Sequence, residues 1–258
     1  MSEATADRVW APPPGGPLPD PHRPSLRGLW VCLAVVLVGV LTAAAGVGLY
    51  AHGYRRFTVA SASMRPTLQP GDQITVRRIG AGDLHRGDVV VITVPDWNQK
   101  AVIERVVGLG GDRLAAGPDG RLTVDGKAVQ EPYLPPGITF GGRPFSAVVP
   151  SGRVFLMGDN RNDAYDSRFH LDEQQGSVST AGLVGRVESV RSGSGTHSLT
   201  PTRAFAAVGD GRVAEEGSAA QYILLIAAGG GLALAGLIAT PVTLWVSRRR
   251  ARRRAFGG

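Results

Sequence analysis

"QITVRRIGAGDLHRGDVVVITVP", residues 73–95, contains two runs rich in β-branched residues, 73–79 and 88–95, separated by the turn signals GAGD and RGD. Short runs of this kind bounded by Gly and Asp clusters read as strands joined by tight turns. The pattern continues in both directions from this stretch. AVIERVVG (101–108), RLTVDGKAV (121–129), RVFLMG (153–158) and LVGRVESVR (183–191) repeat it, punctuated by GGD, GPDG, VDGK, PPG and PSG. No stretch between 52 and 221 sustains a 3.6-residue apolar period, so this region is expected to be mostly β. No internal repeat is evident.

On either side the composition changes abruptly. LWVCLAVVLVGVLTAAAGVGLYA (29–51) and YILLIAAGGGLALAGLIATPVTLWV (222–246) carry no charge. Each exceeds the ~20 residues that cross ~30 Å of hydrocarbon as a helix. The small residues TAAAG would suit a cleaved signal peptide. The apolar run is longer than the ~7–15 residues of such a segment, which favours an uncleaved anchor.

The formal charge is +7, and six arginines lie in the tail SRRRARRRAFGG directly after the second apolar run. A positive-inside bias and attraction to anionic lipid account for that cluster without nucleic acid. The tail therefore predicts two transmembrane helices in the plasma membrane with both termini cytoplasmic. Residues 52–221 are then extracytoplasmic. Cys32, the only cysteine, lies within the first span, so no intramolecular disulfide supports the outer domain. The expected organisation is a disordered Pro/Gly-rich leader (1–28), a helix (29–51), a β domain (52–191), a flexible linker (192–221), a second helix (222–246) and a basic tail (247–258).

Ser63, in SASMRPTL, lies twelve residues beyond the first span. Serine is common in turns, and local sequence alone supports that plain reading. A nucleophilic role requires a base within hydrogen-bond reach. The histidines of the outer region are His52, His85, His170 and His197, of which only His170 adjoins an organised loop, DSRFHLDE. The lysines are Lys100 and Lys127, the latter in a hairpin signal, and arginine stays protonated. No His or Cys pair has metal-ligand spacing, so neither a metal nor another cofactor is expected.

Taken in order, SASMRPTL with QPGD, RGDVVV, VIERVVGLGGD, GDNRNDAYDSR and GLVGRV resemble the blocks of the bacterial type I signal peptidases over roughly 57–188. The resemblance implies a membrane-bound serine endopeptidase with a catalytic domain of coiled β-sheets. Such an enzyme removes signal peptides from exported precursors after small residues in an Ala-x-Ala pattern. It also implies that Ser63 is the nucleophile and that Ser61 assists the oxyanion hole. Arg105 with Asp159, and Asp166 with Arg168, correspond to supporting ion pairs. Precursor proteins and membrane lipids would be the partners.

Three positions depart from the family pattern. The base is a lysine in the family and Glu104 here; a serine that bonds that lysine is Ala164 here. Gly110 replaces a proline. Alternation places Glu104 on one face with Val102 and Val106, where burial would raise its pKa towards a useful range. The competing reading is a pseudo-peptidase that binds signal sequences or a membrane partner without cleaving. Lys100 lies ~13 Å along the strand from that position, too far to replace the base directly.

Overall fold

The structure, a computed structural model, describes residues 27–97, 99–135, 144–209, 211–214 and 219–255, without the side chains of 99, 100 and 250–255. Most of the leader, and the side chain of Lys100, lie outside the described residues. Two units are distinguished: residues 1–46 with 224–258, and residues 47–223.

Two helices, α1 (Arg27–Gly53) and α2 (Ala219–Ala255), supply the first unit. Their mean hydropathies of 2.5 and 2.2 and their lengths suit a bilayer. Large apolar side chains such as Trp30, Leu37, Leu41, Leu234, Leu237 and Ile238 are exposed, as they would be against lipid. Small residues line the contact between the helices. A Cβ added at Gly39 would lie 2.4 Å from the Ala233 nitrogen, and one at Gly229 would lie 2.4 Å from the Ala43 nitrogen. The spacings 39/43/46 and 229/233/236 repeat on one helical face, so the backbones approach where a larger side chain would hold them apart.

The second unit is built from antiparallel strands. The larger sheet contains β1 (Tyr54–Thr58), β2 (Gln73–Arg77), β3 (Val89–Val94) and β4 (Gln99–Leu109). A smaller sheet follows in sequence, with β5 (Arg113–Ala116), β6 (Leu122–Val124), β7 (Lys127–Ala128) and β8 (Phe145–Val148). The chain then returns to the larger sheet as β9 (Arg153–Met157), β10 (Val178–Ser179), β11 (Leu183–Ser192) and β12 (Gly195–Ser198). The sheet orders are β1-β2-β11-β3-β4-β9-β10, with β12 on β11, and β7-β6-β5-β8. The mostly β architecture expected from the strand and turn pattern is the one observed.

The position of β3 explains its unbroken apolar run. Val90 and Ile92 pack with Val102, Val106 and Leu156 on one face, while Val89 and Val91 pack with Met64, Leu68 and Ile74 on the other. A strand buried on both faces has no polar side to alternate with. A third cluster, around Leu114, Leu122, Phe145 and Phe155, joins the small sheet to β4 and β9.

The VDGK turn signal within 121–129 is a hairpin, with Asp125 (φ 50°) and Gly126 (φ 75°) forming its two-residue left-handed turn between β6 and β7. One expectation changes. Residues 192–221, expected as a flexible linker, instead supply β12 and bury Phe205 and Val208 against Val107, Leu114 and Phe155. Those two side chains are apolar anchors three residues apart, a signal that the surrounding Gly, Ser and Thr obscure.

The helix contact is testable through the native Cys32, whose sulfur lies 3.9 Å from Thr243 Oγ1. In membranes, Thr243→Cys is expected to form an intramolecular disulfide on mild oxidation. Adding Gly229→Leu is expected to reduce its yield several-fold, measured by gel mobility without reductant.

Candidate active site

Ser63 lies in a turn, 61–68, between β1 and β2, rather than in a strand. The turn is pinned at its ends: Val59 donates its N–H to the Asp72 carbonyl (2.9 Å) and accepts from the Gly71 N–H (2.8 Å), and Val59, Met64 and Leu68 are buried in the core beneath β2. Apolar anchors on both sides of Ser63 therefore fix a segment that has no ladder of its own. Ser63 is itself almost fully buried, and its hydroxyl lies 3.2 Å from that of Ser61.

Strand β4 brings Glu104 and Arg105 to the same region, with Arg105 paired across to Met157 of β9. The loop after β9 then folds over the nucleophile turn. Asn160 donates its backbone N–H to the Ser63 carbonyl (2.8 Å) and its side-chain amide to the Ala62 carbonyl (3.1 Å). Arg105 forks onto Asp159 through two bonds of 2.8 and 2.6 Å and donates a third, 2.7 Å, to the Gly87 carbonyl. Thr67 adds its hydroxyl to Asp159. Asp166 accepts from the Gly158 N–H (3.0 Å) and from both the backbone and guanidinium of Arg168.

Gly158 and Ala164 form the wall beside Glu104. A Cβ at Gly158 would sit 2.4 Å from the Ala164 Cβ, 2.7 Å from the Ser63 carbonyl oxygen and 2.9 Å from Glu104 Oε2. Only glycine leaves room there. Ala164 presents a methyl group, and Glu104 Oε2 has no hydrogen-bond partner among the described residues.

Burial holds the Glu104 pKa well above the ordinary carboxylate range. The neighbouring negative charges of Asp166 and Asp159 act in the same direction, while the Ser63 hydroxyl bond and Arg168 oppose it. A buried carboxylate with an orphaned oxygen is costly, and protonation relieves the cost. Burial therefore favours the protonated form of Glu104 beyond the pH at which an exposed glutamate ionises.

Of the other proposed bases, His170 is stacked on Trp97 (4.4 Å between centroids) and meets Tyr165 edge-on (5.0 Å). Lys127 is exposed on its hairpin. Ser61, Ser63, Glu104, Arg105, Asp159, Asp166 and Arg168 come together, as does Ala164. Sequence reasoning did not single out Thr67, Asn160, Arg161, Glu131 or Tyr133. The first three lie inside the quoted blocks; the last two lie in EPYL, a polar pair between turn signals that carried no chemical pattern.

Two stability effects follow. Breaking the buried Arg105–Asp159 pair by Asp159→Ala is expected to cost about 3–5 kcal/mol in urea unfolding of the full chain in detergent. Glu104, with its folded pKa raised, favours the fold below its unfolded pKa, and that contribution is lost as pH rises through the folded pKa. Glu104→Gln should therefore gain stability relative to the wild type as pH rises from the unfolded glutamate pKa to the raised folded one, at roughly 1.4 kcal/mol per unit of pKa difference. Melting temperatures of both proteins across that range measure it.

The sequence matches the family model "Signal peptidase, peptidase S26" over residues 29–191. It is 37% identical over 125 residues to signal peptidase I U of Bacillus subtilis, covering 45% of this chain and 65% of that protein. It is 32% identical over 149 residues to a probable signal peptidase I-2 of Synechocystis, covering 54% and 65%. It is 29% identical over 188 residues to signal peptidase I of Mycobacterium tuberculosis, covering 53% and 64%. In each case the chain spans just under two thirds of the relative's length. With most of its length matched by the family model and both apolar helices in place, this membrane-anchored chain belongs to the signal peptidase family, peptidase S26.

Proposed function

We propose that the protein is a serine endopeptidase of the type I signal peptidase kind in which Glu104 replaces the usual lysine as general base. The observation that carries the reading is the buried Glu104 carboxyl beside Ser63: a Cβ at Gly158 would lie 2.7 Å from the Ser63 carbonyl oxygen and 2.9 Å from Glu104 Oε2, and the Ser61 hydroxyl lies 3.2 Å from that of Ser63. Ionised Glu104 takes the Ser63 proton as Oγ attacks the scissile carbonyl. The tetrahedral oxyanion is met by backbone N–H groups assisted by the Ser61 hydroxyl. Collapse gives the acyl-enzyme, and protonated Glu104 returns its proton to the departing amine. The carboxylate then deprotonates a water, whose attack on the ester releases the cleaved signal peptide and restores Ser63.

The buried carboxyl fits this role only when ionised, so cleavage should rise as pH passes through the raised Glu104 pKa. Arg105–Asp159 and Asp166–Arg168 act as structural support. The substrates are precursors cut after Ala-x-Ala at the outer face of the plasma membrane, with the arginine tail cytoplasmic. The catalytic region is 52–191, extended by β12 and by the Phe205 and Val208 anchors of 192–221 that complete its core. A nucleophile and a substrate h-region held in the same bilayer meet at high effective concentration.

A second reading rests on the same carboxyl. Because burial favours the protonated form of Glu104, the site can bind a signal sequence without a base to activate Ser63. The two readings separate with one precursor assayed from about pH 6 to 10, a range spanning the bases considered. The peptidase reading expects cleavage that rises with pH and is lost in Ser63→Ala. Glu104→Gln should fall by about 10²–10⁴-fold, and Glu104→Lys should retain or raise activity. Precursor binding without turnover at every pH, unchanged in Ser63→Ala, selects the binding protein instead.

A further inference from the structure

Three arginines hold the loop 158–168 in place, and two of them are gripped from outside the site. Arg161 is buried, donates from Nε to the Gly158 carbonyl (2.9 Å), and is ion-paired to Glu131. Arg168 donates to the Arg161 carbonyl (2.9 Å), which links the two arginines through the backbone. Arg105 carries the Tyr133 ring on its face, 4.0 Å from guanidinium carbon to centroid. Tyr133 closes the arrangement by donating its hydroxyl to Glu131 Oε1 (2.5 Å). Glu131 and Tyr133 lie just beyond β7, in the connection between β7 and β8 of the small sheet, and neither belongs to the blocks that resemble the family.

We propose that Glu131 and Tyr133 form a two-residue bracket that positions the Ser63–Glu104 site by gripping Arg161 and covering Arg105. The proposal rests on the reading of Ser63 and Glu104 as the catalytic pair. The mechanical path is short. Arg161 fixes the Gly158 carbonyl, and Gly158 is the residue packed against both the Ser63 carbonyl and Glu104 Oε2. Asn160, between them, holds the backbone of Ala62 and Ser63. A loosened Arg161 would therefore move the floor on which nucleophile and base meet, where a displacement of ~1 Å costs about 10²-fold in rate.

The aromatic face contributes separately. A guanidinium already bonded in its plane to Asp159 and Gly87 keeps only its two faces unpartnered by hydrogen bonds, and Tyr133 covers one of them. The ring excludes water from the buried pair, and its hydroxyl orients the carboxylate that grips Arg161. Burial raises the Tyr133 pKa well above its usual value, so its proton stays available for that bond.

The test compares full-length wild type with Glu131→Gln, Tyr133→Phe and Tyr133→Leu in detergent, using two readouts. In precursor cleavage, Glu131→Gln should lower kcat by about 10-fold with KM changed less than about 2-fold, since the bracket touches no substrate. Tyr133→Phe keeps the ring over Arg105 and should lose less than Tyr133→Leu. In hydrogen exchange, residues 158–168 should exchange faster in Glu131→Gln and Tyr133→Leu, while β2 and β11 remain as in the wild type.

Unchanged exchange in 158–168 overturns the bracket whether or not the protein turns over. Faster exchange with an unchanged kcat per folded molecule overturns its positioning role. If the wild type cleaves nothing, the proposed function fails, and the exchange arm alone decides whether the bracket holds the loop.

Discussion

The Arg105–Asp159 pair joins four parts of the chain at one buried point: β4, the loop after β9, the turn before β3 through the Gly87 carbonyl, and the nucleophile turn through Thr67. Removing two charges from water costs several kcal/mol per ion, recovered only when every donor and lone pair is matched. A guanidinium can do this because its planar fork serves a carboxylate and a carbonyl at once. The same accounting extends outward, since Arg168 is committed to Asp166 and Arg161 to Glu131. Each buried cation already has its own carboxylate. Glu104, set among them, has none.

That imbalance decides the chemistry of the site. Burial acts in opposite directions on an amine and a carboxylic acid: it lowers the pKa of a lysine and exposes a neutral base, but raises that of a glutamate and keeps the proton on it. A lysine-type site can therefore be activated by desolvation alone, whereas the same desolvated space shifts Glu104 towards its protonated form. Ala164, beside Gly158, offers a methyl group and no hydroxyl, and Glu104 Oε2 has no hydrogen-bond partner among the described residues. The glycine at 158 gives the carboxyl room beside Ser63, and a pH above the ordinary glutamate range is required to ionise it.

Much of this was legible in the sequence because it rests on local signals. Strands β2, β3, β4, β9 and β11 are runs of β-branched residues with Gly–Asp turns, and the helices are uncharged runs longer than a bilayer requires. The site residues were legible only as an ordered set of blocks; nothing local distinguishes Ser63 from a turn serine. What escaped notice depends on partners distant in sequence. Strand β5, RLAA, is short and weakly apolar and exists because β6 and β8 flank it. Phe205 and Val208 reach the core from a segment whose composition resembles a linker. Glu131 and Tyr133 acquire meaning only once Arg161 and Arg105 lie against them.

On the proposed reading, burial holds the proton on Glu104 beyond the ordinary glutamate range, and its ionisation switches on catalysis at Ser63. Infrared difference spectroscopy of wild type against Glu104→Gln, titrated alongside precursor cleavage, tests it most directly. The account predicts a protonated-carboxyl band above the ordinary glutamate range, absent from the variant, that gives way to carboxylate at higher pH as Ser63-dependent cleavage rises. A carboxylate signal for Glu104 that appears within the ordinary glutamate range, or cleavage that stays level while the carboxyl titrates, would contradict it.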